Sequence, residues 1–150
     1  MTRDFVPIAP RRTPVYRWAT ATPIFPGEPM TTTITICDTC KHDGWDATSG
    51  ATDGETLAAL IEAAAHDTPG VATRRHSCLM GCTNACNVTV QGAGKMNYTL
   101  GRFDPTAEAA QGIVDYAAKH AAADTGVVPF REWPLPIKGH FVTRHPPLTD

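Results

Sequence analysis

The five cysteines of this chain fall in two short groups, Cys37-Asp-Thr-Cys40 and Cys78-Leu-Met-Gly-Cys82-Thr-Asn-Ala-Cys86. Thiolates crowded at such spacing repel one another unless a soft cation, an inorganic cluster or a disulfide holds them. An odd count does not suit a framework of disulfides alone. Metal or iron–sulfur ligation is the chemistry these residues suit best. Spacing leaves two other thiol chemistries open: a tetrahedral zinc site with four cysteine ligands, and a thioredoxin-type dithiol at Cys37 and Cys40. Against the dithiol, a polar Gly- and Thr-rich stretch follows Cys40, whereas a helix start is what lowers an attacking thiol's pKa. His42 and His76 each lie two residues from a cysteine and are candidates to replace one sulfur. Histidines so placed are more often hydrogen-bonded or solvated neighbours.

The elements that must position these sulfurs are legible from periodicity. Residues 31–36, Thr-Thr-Thr-Ile-Thr-Ile, alternate with β-branched side chains and predict a strand ending at Cys37. A helix is predicted over 55–65, starting at Asp53 or Gly54, with Leu57, Leu60, Ile61 and Ala64 on one face. Pro69-Gly70 turns the chain into a short strand over 71–75. Residues 86–91 and 96–100 read as a hairpin around Gly92-Ala-Gly94. Asp104 is the expected N-cap of a last helix, with Pro105 at its first position, running to about Ala123. The order is β-α-β-β-β-α, an α/β fold in which a small mixed sheet carries helices packed on it. If the first two strands are parallel neighbours, their C-terminal ends share an edge and bring the two cysteine groups together. Gly81 would let backbone come close and adopt positive φ, N–H groups would point at sulfur, and Leu79 and Met80 would form an apolar cover.

The ends differ in character. Residues 1–30 carry six of the 13 prolines, so they form neither helix nor central strand. Val6, Ile8, Tyr16, Trp18 and Phe25 give this Pro-rich arm enough apolar surface to dock extended on the domain or on a partner. Residues 31–126 form the expected domain. Residues 127–150, with five more prolines among Phe130, Trp133 and Phe141, are expected to wrap its surface, Trp133 acting as a wedge. Thirteen basic and 15 acidic residues give a formal charge of −2 and no basic stripe, so nucleic acid is not an expected partner. No apolar run would span a bilayer. The first residues lack the apolar core of a secretory signal, so the expected location is cytoplasmic, where thiols stay reduced.

Residues 77–90, Ser-Cys-Leu-Met-Gly-Cys-Thr-Asn-Ala-Cys-Asn-Val-Thr-Val, then the Gly turn, Tyr98, Gly101 and Asp104-Pro105, resemble the second half of thioredoxin-like [2Fe–2S] ferredoxins. Over roughly 32–148 the chain more closely resembles the DUF1636 family of predicted metal-binding proteins, through its cysteine groups, its Gly-Lys-x-x-Tyr hairpin and its Pro/Trp-rich end. The resemblance implies a thioredoxin-like fold and a [2Fe–2S] cluster, or zinc as the alternative. It also implies Cys37, Cys40, Cys78 and Cys82 as ligands, with Cys86 the remaining candidate. Two residues separate Cys37 from Cys40 where the ferredoxins have four or more, and Cys86 stands where they commonly have Pro. A non-catalytic one-electron carrier would need a redox partner protein, unidentified from sequence; a homodimer is compatible with this reading.

Overall fold

The computed structural model describes residues 31–148, so the expected N-terminal arm lies outside the described residues. Strand β1 (Thr32–Cys37) runs parallel to β2 (Val71–His76), joined by helix α1 (Asp53–Ala65). Strands β3 (Val88–Gly92) and β4 (Asn97–Leu100) form the antiparallel hairpin, and α2 (Ala107–Ala122) follows. The predicted β-α-β-β-β-α order is present, with one further strand, β5 (Phe141–His145), antiparallel to β4. The sheet order is β2-β1-β3-β4-β5. This mixed five-stranded sheet with two helices is compatible with a small thioredoxin-like α/β fold.

Alternation in the strands decides which face is buried. Ile34 and Ile36 of β1 pair with Val90 and Val88 of β3, and all four are fully buried with Leu100. Leu57, Ala58 and Ile61 of α1 and Ile113, Tyr116 and Ala117 of α2 complete that core. Thr35 belongs to the opposite, polar face, where Arg74 donates to it at 2.6 Å and to Gln91 at 3.3 Å. Arg75, one residue on, turns to the helix side and makes a two-pronged ion pair with Glu62 at 2.8 Å. The Arg74-Arg75 pair is therefore engaged in the fold.

Helix α1 starts at Asp53, within the expected bounds, whereas the cap of α2 differs from expectation. Thr52 caps α1: its hydroxyl accepts from the Glu55 N–H at 3.0 Å, and the Glu55 carboxylate accepts from the Thr52 N–H at 2.8 Å. That reciprocal pair satisfies two otherwise orphaned donors. Thr106, not Asp104, caps α2, accepting from Ala109 at 3.2 Å. Asp104 and Pro105 precede the helix, because the Thr106 hydroxyl lies one turn before a free N–H and takes the cap.

The C-terminal segment does more than wrap. Two single turns (Phe130–Glu132 and Leu135–Ile137) lead into β5, and Trp133 donates to the Val128 carbonyl at 2.8 Å while stacking on Phe141 at 4.2 Å. Tyr98, Tyr116 and Phe141 meet edge-to-face at 5.3–5.9 Å, a geometry that adds about 0.5–1.5 kcal/mol per pair beyond burial.

His120 and Lys95 tie the end of α2 to the hairpin. The His120 Nε2 lies 2.7 Å from the Met96 carbonyl and therefore carries the proton, leaving Nδ1 to accept from Thr32 at 2.8 Å. Lys95, itself buried, donates to the His120 and Ala121 carbonyls at 3.0 and 2.6 Å, the helix end that attracts a cation. Burial lowers the His120 pKa, the Met96 bond opposes that, and the Lys95 charge reinforces it. The unfolded chain thus takes up the proton first. Stability is complete above the unfolded value of about 6.5 and declines as pH falls through it toward the folded value. The acid-side decline of the denaturation midpoint is expected to be shallower in His120→Gln, as urea melts across that range would show; an unchanged slope would remove His120 as its source.

Candidate metal centre

Strand register places the two cysteine groups. In the parallel β1–β2 ladder Cys37 pairs with His76, so both chains leave the sheet at one edge, two residues before Cys78. The segments then touch. The Leu79 N–H donates to Cys37 Sγ at 3.4 Å, and the Cys78 N–H donates to Thr39 Oγ1 at 3.0 Å. Thr39 Oγ1 also sits 3.6 Å from Cys37 Sγ, so this hydroxyl links both groups.

The five thiols divide by exposure. Cys37, Cys40 and Cys86 are buried, whereas Cys78 and Cys82 face solvent. Among the described residues, no three Cys, His, Asp or Glu side chains stand in a geometry that holds a metal ion as they are. Sequence reasoning thus found segments that adjoin, and their side chains do not already form a closed cage. Cys40 is drawn down to about 6, chiefly by a hydrogen bond with the Cys86 thiol, with Asn87 and Cys37 adding to this and burial opposing it. Cys86 is pushed up by the same bond and by burial. One proton on Cys86 and a negative Cys40 is the arrangement these effects favour. The Cys82 pKa is raised, first by the neighbouring Cys78 charge.

Several neighbours were not singled out by sequence. Asn87, nearly fully buried, donates from Nδ2 to Cys40 Sγ at 3.6 Å and to the Gly81 carbonyl at 2.8 Å. Only its position after Cys86 hinted at it. Gly81 was expected to permit close approach and to take positive φ. The first holds, since an added Cβ would lie 2.5 Å from Asn87 Nδ2, while its φ is −101°. The left-handed residues are instead Cys78 and Met80, both at φ 60°. Leu79 packs against the core as a cover should; Met80 does not, being 87% exposed.

The stretch after Cys40 loops out and brings the helix start back. Gly54 N–H of α1 donates to the Cys40 carbonyl at 3.0 Å, and the Thr52 hydroxyl donates to the Asp38 carbonyl. A helix N-terminus therefore abuts the Cys37–Cys40 loop despite the intervening polar residues, and its partial positive charge favours thiolate there. His42 is held by Asp53, which accepts from its backbone N–H at 2.8 Å and lies 3.2 Å from Nδ1. His76 is exposed at the end of β2. Two buried acceptors in these loops, Asp38 Oδ1 and Asn87 Oδ1, have no hydrogen-bond partner among the described residues, a condition usually relieved by water or a bound group.

A small α/β protein with thiols gathered at one sheet edge is the class that fold and site define. The family described as "Protein of unknown function (DUF1636)" matches residues 34–147, and the chain belongs to that family. No curated protein and no solved structure matches it. Among the described residues no helix is long and apolar enough to cross a membrane.

Proposed function

We propose that the protein binds a [2Fe–2S] cluster and carries single electrons to or from a redox partner protein in a reducing, cytoplasmic setting. One observation carries the reading: cysteine segments nearly forty residues apart adjoin at one sheet edge, with a backbone N–H of the second directed at Cys37 Sγ of the first. The donor set fits the group. It is all sulfur, it includes N–H···S contacts to Cys37 and Cys40, and such contacts tune the potential of thiolate-held clusters.

Cys37, Cys40, Cys78 and Cys82 would hold the centre, which when bound supplies a one-electron couple. The chain's own residues do the rest. The Leu79 N–H and the Asn87 amide offset negative charge on two sulfurs, and the adjoining α1 N-terminus acts in the same sense. Leu79 keeps one side dry, while the exposed Cys78–Cys82 side faces a partner. Cys86 stays protonated beside Cys40 as the spare sulfur.

Anaerobically purified protein is expected to be brown, to contain acid-labile sulfide, and to bleach with dithionite. Colourless protein holding one zinc per chain would overturn the cluster and leave the four-cysteine zinc reading, for which the same sulfurs are suited.

A further inference from the structure

The exposed sulfurs have a companion outside the cysteine set. Met80 Sδ lies 3.7 Å from Cys78 Sγ, and Cys82, exposed like Cys78, is the next sulfur along the same loop. One pentapeptide thus carries three exposed sulfurs, the first two of them adjoining.

The backbone is set to achieve this. Cys78 and Met80 both take φ 60°, a region that costs a non-glycine residue about 1–2 kcal/mol. Between them Leu79 is pinned inward, its N–H on Cys37 Sγ and its side chain against the core. Cys78 is fixed by its N–H on Thr39. Met80, left 87% exposed, holds its sulfur beside the exposed Cys78 thiol. A thioether is a neutral, soft donor that suits Cu(I) and adds little for zinc or for harder cations.

We propose that Cys78, Met80 and Cys82 form an all-sulfur binding site for Cu(I), at which the protein takes up that soft monovalent cation from solution. The inference rests on the metal-binding reading above, because Cys78 and Cys82 belong to both. Binding exchanges two thiol protons for one copper ion and changes no oxidation state. Two thiolates and one Cu(I) leave a single negative charge. An open cleft of 450 Å³, lined by Cys82 together with Lys41, His42 and Asp43, gives access. The metal arrives as Cu(I), and a reducing compartment is required to keep it so.

The test is anaerobic titration of full-length, cluster-free protein with Cu(I) against the chelator bicinchoninate, repeated with Zn(II) and a zinc chelator. Wild type is expected to bind one Cu(I) at this site. Met80→Leu, which keeps size at an exposed position, is expected to weaken Cu(I) about tenfold and zinc by less than about twofold. Cys78→Ser is expected to weaken Cu(I) further still. Met80→Leu with wild-type Cu(I) affinity would overturn the site, as would equal weakening of both metals. If Met80→Leu is silent yet Cys78→Ser still loses the iron–sulfur centre, only the copper inference falls. If neither Cys78→Ser nor Cys82→Ser alters cluster content or Cu(I) affinity, both readings fall.

Discussion

Replacing Cys78 or Cys82 by serine is expected to abolish cofactor binding, with iron and sulfide falling to background, while the apoprotein melts within about 2 °C of wild type. The asymmetry follows from exposure. Both side chains face solvent, so exchanging sulfur for oxygen disturbs little packing. A serine hydroxyl does not ionise near neutral pH, so the anionic ligand is lost outright. Cys86→Ser should behave in the opposite way. That sulfur is fully buried, and a hydroxyl in its place costs about 1–3 kcal/mol if it finds a poor partner, yet the cofactor is retained if Cys86 is the spare thiol. Iron, sulfide and melting measurements on the three variants decide the matter. Retention of cofactor in both exposed-site variants would refute ligation by that pair.

Gly54→Ala is expected to be the most damaging conservative change at the base of the site. An added Cβ would overlap the Cys37 carbonyl and come within 3.0 Å of both Asp38 C and Cys40 N. All three are backbone atoms, so α1 and the Cys37–Cys40 segment must separate. Overpacking of this kind costs about 3 kcal/mol or somewhat more. Gly94→Ala offers the contrast: nothing lies within 4 Å of its added Cβ, and only its φ of +68° opposes the change, for about 1 kcal/mol. Chemical denaturation of both variants, with metal content measured alongside, would test this. A Gly54→Ala protein as stable and as metal-replete as Gly94→Ala would show that the close approach is not needed.

Much of the fold was legible because it rests on local pattern. The Thr/Ile alternation of β1, the Gly turn between β3 and β4 and the apolar stripes of both helices each declare themselves within about ten residues. Strand β5 did not. It is short, two prolines follow it at 146 and 147, and it exists because β4, about forty residues earlier, offers a free edge. The cap of α2 was misplaced for a related reason: Asp104, Pro105 and Thr106 adjoin at its start, and which one caps depends on the chain's entry direction.

At the site, the cysteine positions and their shared sheet edge could be read from spacing and parallel register. The division into buried and exposed thiols could not, since it depends on how the Cys78–Cys82 loop folds back. The roles of Thr39 and Asn87 were equally hidden, because each is a polar residue whose partner lies across a loop. The polar stretch after Cys40 argued against help from a helix, and that argument failed once the chain returned to place Gly54 against Cys40.

The sheet order separates two events during synthesis. All five thiols, the parallel strand pair and the hairpin are encoded before residue 101, and the Cys86–Phe103 backbone exchange follows within three residues. The far border is closed only when 141–145 emerge and lie against Asn97–Leu100. A nascent chain can thus present the cysteine-bearing end of the sheet while its opposite border is still an open strand, prone to pair with a neighbour's. If the proposed centre were loaded early, it would anchor the half already made while the last strand is awaited.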